Sequence, residues 1–555
     1  MKKYRWPLVV VSAAIVAVVC MGFRGDKQNF AVAKNLNIFN SLVRELRLFY
    51  VDEFDADKLV NTAIDAMLYD LDPYTVYYPA DDTEELEMMT TGKYAGVGAL
   101  IRFMPEKKTC VIAEPYENMP AVKSGMKACD MLLSIDTTDV RGMVVDKVSN
   151  LLRGEAGTLV NVTVKRPGTP DPLTFRVERE SIQLPAVPYY GMIDANTGII
   201  VFDRFIEGCS RDVRLALVSL KEQGARNIIL DLRGNGGGLL SEAVEIANLF
   251  VDKGHTIVET RGRLAQASQT YKTQKAVFDS ETPLVVLVDG NTASSSEILS
   301  GSLQDLDRAV IVGSRTYGKG LVQVPRELPY GAAMKVTTSK YYLPSGRCIQ
   351  AIDYAQRDED GHVARIPDSL TTVYHTAAGR EVRDGCGIKP DVEVKYEKLS
   401  NMLYYLANDH VLFDFATSYA LEHETIPPAD RFEISDELFA QFRDSLKASD
   451  FTYDRGSEKA LKTLREYADF EGYLKDSKDE FAALEAKLKH NLDLEIDKWA
   501  DEVKILLADE IVKRYYYQKG SIVQAFRADD DLREARAILD DPARYRAILA
   551  APSKK

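Results

Sequence analysis

Residues 283–313, PLVVLVDGNTASSSEILSGSLQDLDRAVIVG, decide the fold. Two short runs, PLVVLVD and RAVIVG, are apolar throughout. Between them lies SSSEILSGSLQDL, which reads as a helix. A strand that is apolar at every position is covered on both faces, as in parallel sheets. The same alternation precedes it: GIIVFDRF (strand), SRDVRLALVSLKEQG (helix), NIILDL (strand) and LLSEAVEIANLFV (helix). The pattern predicts an α/β core that starts near Gly198. In such sheets the loops after the strands' carboxyl ends hold ligands.

Outward from that core the texture changes twice. Residues 92–180 are short β-like runs such as VGALIRF and LVNVTVKRP, with AVKSGM and MVVDKVSNLLRG the only helical patches. Residues 36–71 carry apolar positions at helical spacing and read as two helices ending at Asp72-Pro73. Beyond about residue 400 the chain turns helical and heavily charged, with one long periodic stretch from Lys478 to Tyr517. We therefore expect a multidomain α+β protein. Its parts are a helical region at 26–88, a β-rich module at 89–180, an α/β core at 181–400 and a helical region at 401–555.

The first residues suggest export. Lys2, Lys3 and Arg5 precede an apolar run from Pro7 to Phe23, between a secretory core and a spanning helix in length. Residues 1–25 are read as a signal peptide or membrane anchor, with the positive end inside. Ala31-Val32-Ala33 is a candidate cleavage site, and Cys20 invites a lipoprotein reading that the bulky valines before it oppose. A net charge of −14 and no basic stripe argue against a nucleic-acid partner. The other five cysteines are scattered, without CxxC spacing, which argues against a disulfide scaffold or a zinc site. They are expected to be buried free thiols. No metal or cofactor is expected.

Ser294-x-x-Glu297 fits a capping box, in which a serine merely starts a helix. A serine on the step from a buried strand to a helix is also held with its oxygen clear of the sheet. The amides at that helix start could meet developing negative charge. A hydroxyl nucleophile needs a base, and none of the six histidines stands in a recognisable setting. Lys319, between Gly318 and Gly320, is the better candidate: desolvated, it can be neutral and accept a proton. Gly313-x4-Gly318-Lys319 also resembles a phosphate loop, but Gly320 replaces the metal-binding hydroxyl and LVQVP reads as a strand where that loop needs a helix. The glycines of DLRGNGGG (231–238) would expose amides for a phosphate or an oxyanion; the nearby serine favours the oxyanion.

Taken together, DLRGNGGG, NTASSSEI (291–298), GSRTYGKGLVQ (313–323), SKYYLPSGRCIQ (339–350) and GIKPDV (387–392) resemble the C-terminal processing peptidases, or tail-specific proteases. LDPYT (71–75) and YAGVGALI (94–101) resemble that family's N-terminal helices and the start of its PDZ domain. The resemblance implies a crotonase-like peptidase core with a PDZ domain before it. It implies Ser294 as nucleophile, Lys319 as general base 25 residues later, and Gln323 as the residue that orients the lysine. Ser296 is the fallback nucleophile, because Ser295 departs from the smaller residue usual there. The amides of Ser295 and of Gly237 or Gly238 would form the oxyanion hole. Glu297 and Asp305 are read as structural. Gly96, Val97, Gly98 and Ala99 match the loop that holds a substrate's terminal carboxylate.

The expectation is a periplasmic serine endopeptidase with a Ser-Lys dyad that cleaves proteins recognised by free apolar C-termini, with a second copy of itself as a candidate partner and the inner membrane as a neighbour through its N-terminal segment. Its rivals are a catalytically inactive PDZ adaptor and an acyl-CoA enzyme of the crotonase type.

Overall fold

The computed structural model describes residues 29–80, 88, 91–357, 363–396, 400–449, 451–453, 455–488 and 491–550. The expected signal or anchor segment lies outside these residues. Among the described residues no helix is long and apolar enough to cross a membrane. The chain divides into two compact units, residues 1–77 with 334–336, and the remainder.

In the first unit, helix α1 spans residues 29–49 and α2 spans Ala56–Tyr69. Asp55 starts α2 by accepting the amides of Asp57 and Lys58. Asp72 then closes the LDPYT turn: its Oδ1 accepts from the amides of Tyr74 and Thr75, each at 2.8 Å.

In the second unit the β-rich module contains β1 (Lys93–Gly96), β2 (Ala99–Met104), β3 (Thr109–Pro115), α3 (Pro120–Lys123), β4 (Met131–Ile135), α4 (Val145–Leu152), β5 (Leu159–Lys165), β6 (Leu173–Glu178) and β7 (Glu180–Gln183). The main sheet runs β2-β3-β4-β5-β6, and β1 pairs separately with β7. Strand β2 is thus an edge, with α4 packed beside it. Ile101 and Phe103 of β2 share one apolar cluster with Val148 and Leu152 of α4.

The core follows: β8 (Tyr189–Met192), β9 (Thr197–Val201), α5 (Cys209–Glu222), β10 (Asn227–Asp231), α6 (Leu240–Phe250), β11 (Thr256–Gly262), β12 (Gln269–Lys272), β13 (Leu284–Val288), α7 (Ser295–Asp305), β14 (Val310–Gly313), β15 (Leu321–Glu327), β16 (Ala333–Tyr342) and β17 (Val392–Glu393). Its central sheet runs β8-β9-β10-β13-β14-β17, parallel from β9 onward. All five residues of β13 are buried, as the apolar run required. Successive parallel strands that advance in one direction carry their right-handed crossovers on one face. Helices α5, α6 and α7 accordingly pack together with Leu230, Val286 and Ile311 from that face.

The opposite face needs its own cover, and the far end of the chain supplies it. The C-terminal region contains α8 (Asn401–Asn408), α9 (His410–Glu422), α10 (Asp436–Ala448), α11 (Gly456–Phe470), α12 (Lys478–Leu488), α13 (Leu492–Lys498), α14 (Ala500–Ala525), α15 (Asp530–Leu539) and α16 (Pro542–Leu549). The periodic stretch read as one run is divided among α12, α13 and α14, and α14 breaks at Tyr517, whose φ is +52°. Helices α8–α10 and the first half of α14 build a separate helical core. Leu532, Ala535, Ile538 and Leu539 of α15 return to the central sheet and bury against Ile199, Ile229, Val285, Leu287, Val310 and Val312.

Of the five described cysteines, Cys110, Cys129, Cys209 and Cys386 are buried free thiols and Cys348 is partly buried.

Candidate active site

Ser294 stands between β13 and α7 with φ +57° and ψ −118°. That region of backbone space belongs to glycine, and a side chain there costs about 1–3 kcal/mol. The strain singles out one serine of the three. Ser295 spends its hydroxyl on the Gly238 carbonyl (2.8 Å), and Ser296 spends its own on the Asn235 carbonyl (2.9 Å). Both of these residues are buried, whereas Ser294 is only half-buried. Ser296, the fallback nucleophile of the sequence reading, is thus buried with its hydroxyl already engaged.

Glu297, fully buried, joins the serine to the lysine. Its Oε2 accepts the amides of both Ser294 and Lys319, each at 2.9 Å. Its Oε1 accepts the Gly318 amide (2.8 Å) and the Thr316 hydroxyl (2.5 Å). Burial pushes this carboxyl up to about 7, while the four hydrogen bonds pull it down. The Ser294 amide bond is the glutamate half of the capping box that the sequence predicts; the other three bonds reach a loop that no helix-start rule anticipates.

Tyr341 closes the arrangement from the carbonyl side. Its buried hydroxyl donates to the Lys319 carbonyl and lies 3.2 Å from the Ser294 carbonyl. One carboxylate and one phenol therefore bind the main chains of both candidate residues. Tyr341 escaped sequence reasoning; its place in the SKYYLPSGRCIQ motif was the available signal.

Lys319 is partly buried on the turn into β15. Gly318 before it has φ +88°, and a Cβ there would lie 2.3 Å from the Cβ of Ala351. Only glycine lets the loop lie against the 349–351 segment, where the Ala351 amide bonds the Gly318 carbonyl at 2.9 Å. The Gly320 amide donates to Gln350 Oε1 at 2.7 Å. Gln323, on β15, donates from Nε2 to Thr337 Oγ1 at 3.1 Å, which leaves its side-chain oxygen as the acceptor.

The glycine loop after β10 lies against the serine. A Cβ on Gly237 (φ +98°) would stand 2.8 Å from Ser294 Cβ and 2.9 Å from the Ser295 nitrogen. The two oxyanion candidates in this loop are not equivalent. The Gly237 amide already donates to Asn235 Oδ1 at 2.9 Å. The amides of Gly238 and Ser295 have no hydrogen-bond acceptor among the described residues. Ser295 is the first residue of α7, where an amide has no helical partner.

The loop is fastened at both ends. Asn235, fully buried, donates to the Phe202 carbonyl at 2.8 Å, and its carbonyl accepts the Ala293 amide at 3.0 Å. Arg233 forks onto Asp231 and also reaches Asp529 (2.6 Å) and Asp531 (3.1 Å) at the start of α15. The helix that covers the sheet's second face is thereby tied to the glycine loop. Asp305 pairs with Arg347 at 2.7 Å, both fully buried, at the far end of α7.

In the β-rich module, residues 96–99 form the turn between β1 and β2. The Val97 carbonyl accepts the Ala121 amide (2.8 Å) and the Gly98 carbonyl accepts the Tyr116 amide (3.0 Å). The Val97 and Gly98 amides have no acceptor among the described residues. Ala99 opens edge strand β2. Among the described residues, no group of three His, Cys, Asp or Glu side chains could hold a metal.

Three family models match in chain order: a PDZ domain at residues 98–178, peptidase family S41 at 196–358, and a probable PDZ-protease C-terminal helical domain at 402–539. The carboxy-terminal-processing protease of Bartonella bacilliformis is 32% identical over 348 residues, covering 62% of this chain and 79% of that protein. A probable CtpA-like serine protease of Staphylococcus epidermidis is 31% identical over 341 residues, 60% of this chain and 67% of that one. Among solved structures, a photosystem II D1 C-terminal processing protease is 30% identical, covering 64% of this chain and 86% of that one, with a TM-score of 0.36. The order of the three domains and the extent of the Bartonella match place the chain in the carboxy-terminal-processing protease family of S41 serine peptidases.

Proposed function

We propose that the protein is an exported endopeptidase with a Ser294–Lys319 dyad, which cleaves proteins whose apolar C-terminal tails its PDZ domain holds. The observation that carries this reading is the single buried carboxylate, Glu297, bonded to the amides of both residues beside a strained Ser294. Ser294 Oγ attacks the scissile carbonyl as Lys319 Nζ takes its proton. The Ser295 and Gly238 amides receive the oxyanion. Lys319 then gives the proton to the leaving amine, and water hydrolyses the acyl-enzyme with Lys319 again as base. The remaining acceptor of Gln323 orients the lysine. No step calls for a metal or cofactor.

The core is read as crotonase-like, a reading supported by the parallel sheet with its crossover helices on one face. Tail recognition is supported by the open edge of β2 and by the Val97 and Gly98 amides at its start. A peptide that extends the sheet there would bring its carboxylate to those amides and its apolar side chains to the β2–α4 cluster. The charged and apolar start of the sequence supports a periplasmic location next to the inner membrane.

Incubation with a folded protein bearing an apolar tail tests the whole reading. Cleavage is expected, slower when the tail is amidated, lost in Ser294→Ala and unaffected by EDTA. Binding without cleavage by the wild type would turn the reading toward the inactive adaptor.

A further inference from the structure

Strand β15 begins two residues after Lys319 and runs on past Gln323 to Glu327. Beyond Gln323 it walls a cavity of about 440 Å³. Val324 and Leu264 give the cavity an apolar surface, and Arg263 and Arg326 stand at it. Thr337, which takes the hydrogen bond from Gln323, is part of the same wall. Val324 follows Lys319 by five positions, a reach of at most about 16 Å. An extended substrate covers that distance with about five residues of its own, so the cavity lies within the span of a peptide centred on Ser294.

The two arginines are exposed and are not held within the fold. The arginines that brace the core are paired: Arg233 with three aspartates, Arg347 with Asp305, Arg380 with Asp307 and Asp391. Arg263 and Arg326 make no ion pair or side-chain hydrogen bond among the described residues. Around them the charge is lopsided. Strands β11, β12 and β15 and the neighbouring 337–342 end of β16, with the turn after β11, hold Arg261, Arg263, Lys272, Arg326 and Lys340 against Glu259 and Glu327. In a protein of net charge −14, a cationic patch beside the strand that follows the Lys319 turn selects for an anionic partner.

We infer that this cavity is a substrate subsite that takes an acidic side chain within about five residues of the scissile bond, with Arg263 and Arg326 on the carboxylate and Leu264 and Val324 against its methylene stem. A guanidinium fork suits a carboxylate, and a short apolar wall suits the stem of glutamate better than that of aspartate. The inference rests on the peptidase reading and adds a second determinant to the tail. The tail's own carboxylate belongs to the Val97–Gly98 amides, so the group at the arginines is a side chain.

The test is a set of peptides with one apolar free C-terminus, in which Glu, Gln or Lys is placed at each of the five positions on either side of the cut. Because both arginines are solvent-exposed, the preference should be modest: about fivefold in kcat/KM for Glu over Gln at one position, shrinking as salt is raised. The ratio of Glu to Lys peptides, measured within each enzyme, is the decisive quantity because it does not depend on how much of a variant folds. In Arg326→Glu that ratio should invert, and in Arg263→Gln it should fall toward one. Equal rates for Glu and Gln peptides at every position, or an unchanged ratio in Arg326→Glu, would overturn the subsite and leave the peptidase reading standing. No cleavage of any peptide would overturn both.

Discussion

Glu297→Gln and Glu297→Ala should separate cleanly, because the glutamate has four donors around it and nothing else. Glutamine can keep its oxygen toward the amides of Ser294 and Lys319 and turn its NH2 toward Thr316 and Gly318. The Thr316 hydroxyl can reverse to accept, but the Gly318 amide then faces another donor. One orphaned buried amide costs about 1–3 kcal/mol. Alanine orphans the amides of Ser294, Gly318 and Lys319 together, which raises the cost to at least about 3 kcal/mol by the same rule. Hydrogen exchange read by mass spectrometry on peptides covering 291–298 and 316–323 is the suitable assay, since these amides open locally. In Glu297→Gln their protection should fall by about 5- to 150-fold, at 1.4 kcal/mol per factor of ten. In Glu297→Ala it should be lost, together with peptidase activity, while the affinity of a tail peptide for the PDZ domain holds. Wild-type protection of both segments in Glu297→Ala would refute the clamp.

Three further outcomes follow from the same geometry. Burial raises Glu297 from 4.5 to about 7, so the folded protein keeps a proton that the unfolded chain releases. The stability it contributes is present in full below pH 4.5 and lost as pH rises to about 7, on the order of 3 kcal/mol, and urea titrations should show that slope in wild type but not in Glu297→Gln. Gly237→Ala should lower kcat by at least about a hundredfold, the scale of losing an oxyanion donor, because its methyl would sit against Ser294 and the Ser295 amide; peptide turnover measures it. Removing residues 526–550 strips Leu532, Ile538 and Leu539 from the sheet and Asp529 and Asp531 from Arg233, a loss on the order of 6 kcal/mol of apolar burial alone, so limited proteolysis should find the 189–393 core unfolded.

What the sequence made legible was local. Apolar strands followed by helices, a serine at a strand-to-helix step, glycines before a lysine and an S-x-x-E box all lie within a few residues, and each found its expected place. What it hid was long-range. Nothing in DLRGNGGG says that Arg233 will meet aspartates about 300 positions later, or that α15 will close the sheet's second face. Tyr341 reads as a strand tyrosine until the fold brings its hydroxyl to two carbonyls. The choice between Gly237 and Gly238 was hidden for another reason: it turns on one side-chain oxygen of Asn235, which competes for an amide that the motif alone leaves open. Glu297 was read as structural, and it is buried as that reading requires. Its structural task is to hold the two candidate catalytic residues together.

The central claim is that Ser294 is the nucleophile and Lys319 its base. A fluorophosphonate probe that forms a covalent bond only with an activated serine, followed by peptide mapping of the full-length protein, tests it most directly. The wild type should carry the label on Ser294, Ser296→Ala should still carry it there, and Lys319→Arg should carry none, because arginine cannot accept the serine proton. A label on Ser296, or undiminished labelling of Lys319→Arg, would contradict the dyad.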